Sequence, residues 1–118
     1  MIGYRVEHAK KGCGPWCPSI LGWDDDFMDA IREAGRELPC PEEDGIPNYW
    51  DIPNPRYAFP NPELITYFFD FYALEMLKAS GFVVRVYKIG DRHLQGEHQI
   101  VFDVTDAEII SEILLSDL

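Results

Sequence analysis

Cys13 and Cys17, with Cys40 further on and His8, His93 and His98 elsewhere, are the side chains that could ligate a soft metal or build a nucleophilic site. A structural zinc site needs a second Cys or His pair at similarly close spacing to complete four ligands. The chain has no such second pair, and Pro18 and Pro41 directly follow two of the cysteines. The thiols therefore read as small buried or loop residues, and no metal is expected. A Cys–His nucleophile needs thiolate and imidazole in contact, and nothing in the spacing brings one cysteine to one histidine. Asp24-Asp25-Asp26 lacks the calcium-loop spacing with its central Gly, and acids of this kind suit the positive end of a helix dipole. Gly12-Cys13-Gly14 does not open a helix with Lys-Ser/Thr, so no phosphate loop is present, and no Ser-centred elbow occurs. No cofactor is expected.

The carboxylates say more as a population. Ten basic and 21 acidic residues give the 118-residue chain a formal charge of −11. Asp24, Asp25, Asp26, Asp29, Glu33, Glu37, Glu42, Glu43, Asp44 and Asp51 face only Arg32 and Arg36 within the same stretch, and 97–118 carries acids without Lys or Arg. Direct nucleic-acid binding needs a basic footprint, and none is visible. An acidic surface instead attracts a basic partner and speeds the encounter. Those acids, with Tyr49 and Trp50 among them, are the candidate partner-contact residues.

Elements must position these groups. The sequence is 47% apolar and 14% aromatic, enough for a core. One domain, 1–118, is expected. Asn61–Gly81, NPELITYFFDFYALEMLKASG, predicts a central helix: Asn61 at the N-cap, Pro62 at the first helical position, Gly81 past the end, and apolar residues on most faces. Ile2–Glu7 alternates as a half-buried strand. Trp16, in a rigid CGPWCP loop, is expected to plug the core edge. Asp24–Glu37 predicts a helix with Phe27, Ala30, Ile31 and Ala34 on one face. The six prolines between Leu38 and Pro60 predict a long wrapping loop with at most a helical turn. Phe82–Ile89 and His98–Asp103 predict a β-hairpin, and Thr105–Glu108 matches a capping box opening a C-terminal helix.

The expected fold is α+β: a small, mainly antiparallel three-stranded sheet packed against a central hydrophobic helix, with two further helices. If strand one lay beside the last strand, Arg5 or His8 would approach Glu97 or Gln99. That arrangement resembles ADP-ribosyltransferases in outline, which implies an NAD-dependent transferase as an alternative, although no Ser-Thr-Ser-like strand appears.

YRVEH…GPW (Tyr4–His8, Gly14–Trp16), LPCPEED (Leu38–Asp44) and HQIVFD (His98–Asp103) together resemble a group of short phage and prophage proteins with a YRxEH-like opening strand. The resemblance implies a phage-encoded protein acting on its host. Combined with the charge, it suggests a binding protein that blocks a basic, nucleic-acid-binding host or defence protein, as an anti-CRISPR or nucleic-acid mimic would. A phage structural or assembly accessory is the other alternative. Lacking a signal-peptide-like start or a membrane span, the protein is expected in the cytoplasm of the host cell.

Overall fold

The computed structural model describes residues 1–12, 14 and 39–118. Within them the chain forms β1 (Ile2–His8), β2 (Pro55–Ala58), α1 (Glu63–Phe68), α2 (Phe71–Ala79), β3 (Phe82–Ile89), β4 (His93–Gln95), β5 (Ile100–Asp103) and β6 (Ala107–Ile113), with short 3-10 turns at Tyr49–Asp51, Val104–Asp106 and Leu115–Asp117. The expected helix Asp24–Glu37 and Trp16 lie outside the described residues.

The strands form two three-stranded antiparallel sheets, β1-β3-β6 and β2-β5-β4. The architecture is α+β. The expected hairpin between Phe82–Ile89 and His98–Asp103 does not form, because each strand is the centre of its own sheet. The physical reason is burial. Most of β3 and all of β5 are buried, on alternating residues and hence on both faces. A strand so enclosed needs a hydrogen-bonded neighbour along each edge, since a bare buried edge would strand its amides and carbonyls. Nor does strand one reach the last strand: β1 pairs with β3 along its whole length, from Ile2 opposite Lys88 to His8 opposite Phe82.

Two local readings are corrected by the chain's own chemistry. The predicted C-terminal helix is a strand, β6, running along the second edge of β3. The Asp103 carboxylate accepts from the Thr105 amide at 2.9 Å and its hydroxyl at 2.6 Å, and the turn so made ends after Asp106. Ile109, Ile110 and Ile113 then favour extended backbone, and the open β3 edge supplies partners. The hydroxyl of Thr105, its amide and Arg92 hold the Asp103 carboxyl below the usual carboxylate range. Likewise the predicted central helix is two. Phe69 is extended (φ −112°, ψ 115°), and the Asp70 carboxylate accepts from the Ala73 amide at 2.9 Å to start α2 afresh. The outer signals are where expected: Asn61 Oδ1 accepts from the Leu64 amide at 3.1 Å, and Gly81 takes φ +90°.

The Pro-rich stretch is more regular than expected. Its 3-10 turn fits the anticipated helical turn, but β2 is an additional strand, with Pro55 at the first residue, where a missing N–H does least harm. Just beyond β2, Phe59 exchanges two backbone hydrogen bonds with Tyr4, at 2.8 and 2.7 Å, and so ties the two sheets together.

Residues paired across β1 and β3 share a face. On one face Val6, Phe82 and Val84 join Phe59, Ile65, Phe68, Phe69, Ala73, Leu77 and Leu115 in one buried cluster. On the other, Tyr87 and Ile89 meet Ala58, Ile100 and Phe102. Gly3 permits that approach, since a Cβ there would stand 2.5 Å from Ile89 Cδ1 and 3.0 Å from the Ala58 methyl. Val101 points the opposite way, into a third cluster with Ile46 and Ile52.

Because Asp70 restarts the helix, Asp70→Ala should lower stability by about 1 kcal/mol, the usual worth of an N-cap side chain, while Asp70→Asn should retain most of it. A thermal melt should show the Ala variant unfolding roughly 4 °C early. An unchanged melting temperature would mean that the break is held by Phe68 and Phe69 packing alone.

Candidate functional site

The acidic stretch around Asp44 is held by a network that begins in its turn. Between Cys40 and Ile46 the backbone closes on itself, with Asp44 N–H donating to the Cys40 carbonyl at 3.1 Å and Ile46 N–H to the Pro41 carbonyl at 2.8 Å. Gly45 adopts φ +94°, a conformation that suits glycine. The Asp44 side chain then reaches across to the turn between β4 and β5. Its Oδ2 accepts from the amides of His98 (2.8 Å) and Gln99 (2.9 Å), and its Oδ1 accepts from His98 Nδ1 (2.7 Å). Its backbone carbonyl accepts from the Glu97 amide at 2.9 Å, and the Gln99 side-chain amide donates to the Pro39 carbonyl at 2.6 Å. Gly96 is required here: a Cβ would meet the Asp44 carbonyl oxygen at 2.4 Å.

This changes the role of Asp44. Expected as a partner-contact acid, it is 4% exposed and its carboxylate is saturated by three donors. It latches the loop, with its carboxylate turned inward to these donors. Around it Glu42, Glu43 and Asp51 are exposed, Tyr49 is half-buried, and Trp50 is 62% exposed with its ring edge-on to Tyr49 at 5.2 Å. Glu97 is exposed on the facing turn. Asp24, Asp25, Asp26, Asp29, Glu33 and Glu37 lie outside the described residues. The signal for Asp44 in the sequence is the Asp-Gly dipeptide, a turn signature rather than a surface one.

The residues of the transferase alternative make their contacts in separate places. Arg5 Nη1 donates to the Tyr57 carbonyl at 3.0 Å, and His8 Nδ1 accepts from the Lys10 and Lys11 amides while its ring packs edge-on against Phe82. Glu97 and Gln99 belong to the Asp44 network. Arg5 instead shares a buried polar cluster with two neighbours. Arg5 Nε lies 3.8 Å from Glu7 Oε1, and the same carboxylate oxygen accepts from the Tyr87 hydroxyl at 2.5 Å. Burial first, and then the bond to Glu7 and its charge, push the Tyr87 hydroxyl up to about 12. Burial, with Tyr49 nearby, also raises Tyr57.

Cys40 is exposed, its thiol 3.0 Å from Glu43 Oε1. Cys13 and Cys17 lie outside the described residues. Among the described residues no three His, Cys, Asp or Glu side chains gather as metal ligands, and no helix is long and apolar enough to cross a membrane.

A family model described as Bacteriophage T4 Y00F protein matches residues 1–116. The chain belongs to this phage protein family. No curated protein and no solved structure matches it. Membership in the Y00F family supports the phage origin that the sequence resemblance implies.

Two measurements test the polar networks. Asp44→Ala strands the part-buried His98 amide and the buried Gln99 amide at about 1–3 kcal/mol each, so chemical denaturation should show a loss of roughly 3 kcal/mol. Tyr87 contributes through linkage. A hydroxyl whose folded value lies above its unfolded value of 10.0 stabilises fully below pH 10, and the contribution disappears as pH rises towards 12. Stability should therefore fall over that alkaline window, and Tyr87→Phe should flatten the fall. An identical alkaline profile in the variant would contradict the assignment.

Proposed function

We propose that this phage protein is a small acidic binding protein that engages a basic, nucleic-acid-binding protein of the host cell and competes for the surface that would hold phosphates. The observation that carries the reading is the latched loop of residues 39–52, on which Glu42, Glu43, Asp51 and Trp50 are all exposed. Carboxylates on a flexible loop lose much of their attraction to ordering entropy on binding, and carboxylates on a pinned one lose less. An exposed Trp among them supplies the desolvated anchor that interface energies concentrate on, and its indole face suits an Arg or Lys. The net charge of −11 adds long-range steering towards a positive partner. A host defence nuclease or another nucleic-acid-binding factor is the class of partner that fits.

Affinity purification of the tagged chain from nuclease-treated host lysate tests this. At low salt it should retain a basic protein that is released by high salt or by competing duplex DNA. Trp50→Ala should weaken that capture about thirty-fold, corresponding to ~2 kcal/mol for a central aromatic anchor. The double change Glu42→Gln and Glu43→Gln should chiefly reduce its salt dependence. Retention that ignores salt and DNA would point to an apolar assembly contact instead and would overturn the proposal, as would the absence of any basic partner.

A further inference from the structure

The Asp44 network leaves one group with a free direction. The Asp44 carboxylate is an acceptor for three donors, so the His98 ring proton sits on Nδ1, the nitrogen 2.7 Å from Asp44 Oδ1. In the neutral ring Nε2 then carries the lone pair and is the nitrogen able to ligate. The edge-on contact of the imidazole with Phe68, at 5.6 Å and 89°, restricts the ring on one side. The Asp44 side chain is 1% exposed and that of His98 32%, so the ring is anchored at its Nδ1 edge and only part of it reaches solvent. On that open side Glu97 Oε1 stands 3.9 Å from Nε2, on a side chain that is 78% exposed.

We propose that His98 Nε2 and Glu97 form an open binding site for a divalent transition-metal ion of the zinc class, with Asp44 as the outer carboxylate. Histidines that bind metals almost always donate their other ring N–H to a carboxylate or carbonyl, which fixes the tautomer and raises the basicity of the ligating nitrogen. The buried Asp44 supplies that arrangement in advance. An ion bonded to nitrogen and oxygen at about 2.0–2.2 Å with a near-tetrahedral angle needs them roughly 3.4 Å apart. Rotation of the exposed Glu97 side chain closes the remaining half ångström. The donor pair selects the ion: imidazole with carboxylate suits zinc, nickel or copper, whereas calcium and magnesium prefer oxygen alone. The charges that meet at the ring, Asp44 and Glu97, are both negative, so an anionic ligand is disfavoured and a cation favoured. Only two protein donors converge, so water fills the other positions and the site binds more weakly than a four-ligand structural site.

Zinc titration of the full chain, followed by site-resolved NMR of the imidazole nitrogens, decides the matter; the three cysteines, which can also take zinc, make bulk stoichiometry a poor readout. The expected result is a shift of the His98 Nε2 resonance that saturates with zinc while Nδ1 stays protonated. Glu97→Gln should weaken that transition about ten-fold with the fold intact, and Asp44→Asn about ten- to a hundred-fold. If Asp44→Asn fails to fold, the Glu97 variant still discriminates, because its side chain lies in solvent. A His98 Nε2 resonance unmoved by millimolar zinc, or a transition unchanged by Glu97→Gln, would overturn the site. Neither result depends on a protein partner, so the outcome is separate from that of the salt-dependent capture.

Discussion

The constraint on which the rest of the structure depends is that two strands, β3 and β5, are enclosed on both faces. Their side chains alternate between clusters: Val84 goes with the helices, Tyr87 and Ile89 with Ile100 and Phe102, and Val101 with Ile46 and Ile52. A strand that divides two cores cannot be a sheet edge, because its backbone groups would then be both buried and unpaired. Each therefore recruits two flanking strands from wherever the chain can provide them. For β3 these are β1 and the C-terminal β6, and for β5 they are β2 and the short β4. Segments with weak strand character, such as Pro55–Ala58, are extended because a buried centre needs them.

That requirement explains which parts of the fold are legible in the sequence. β1 and the two central strands declare themselves through alternation or β-branched runs. Asn61 and Gly81 mark the outer ends of the helical region through their own side chains or lack of one. Pairing is less visible. Two apolar strands close in sequence favour a hairpin, and only knowledge of what covers each face shows that both must be central. The C-terminal segment misleads for a related reason. Thr105 and Glu108 have capping-box spacing, but the oxygen that binds the Thr105 amide comes from Asp103, and the isoleucines that follow meet an open strand edge. At Asp70 the signal was present, since Asp is a favoured N-cap, but apolar residues on both sides concealed it.

The candidate site was legible as composition and illegible as geometry. Counting acids identifies Glu42, Glu43, Asp44 and Asp51 as equivalent, yet one of them does a different job. Asp44 is close to Gly45 in a turn and far in sequence from Gly96, His98 and Gln99, and only the fold brings these together. The absence of a side chain at Gly96 is part of the same arrangement, because it gives the Asp44 carbonyl and carboxylate room to reach the β4–β5 turn. His98, which alone reads as an edge residue, acquires a fixed ring orientation from this contact.

Burying a carboxylate in a chain of charge −11 works against both desolvation and like-charge repulsion, so its retention at Asp44 calls for a compensating gain. Three donors offset the desolvation, two of them backbone amides that would otherwise need other partners in a tight turn. A neutral Asn could accept from two amides but would present one of its own N–H groups, or a weaker acceptor, to His98. The carboxylate alone accepts from all three at once, and in doing so it fixes the loop, the facing turn and the imidazole relative to one another. The same charge therefore converts Glu42, Glu43, Asp51 and Glu97 from independent solvated acids into groups whose backbones are held on one frame. An acidic protein needs such a frame if its charge is to recognise a surface and not merely repel its own copies.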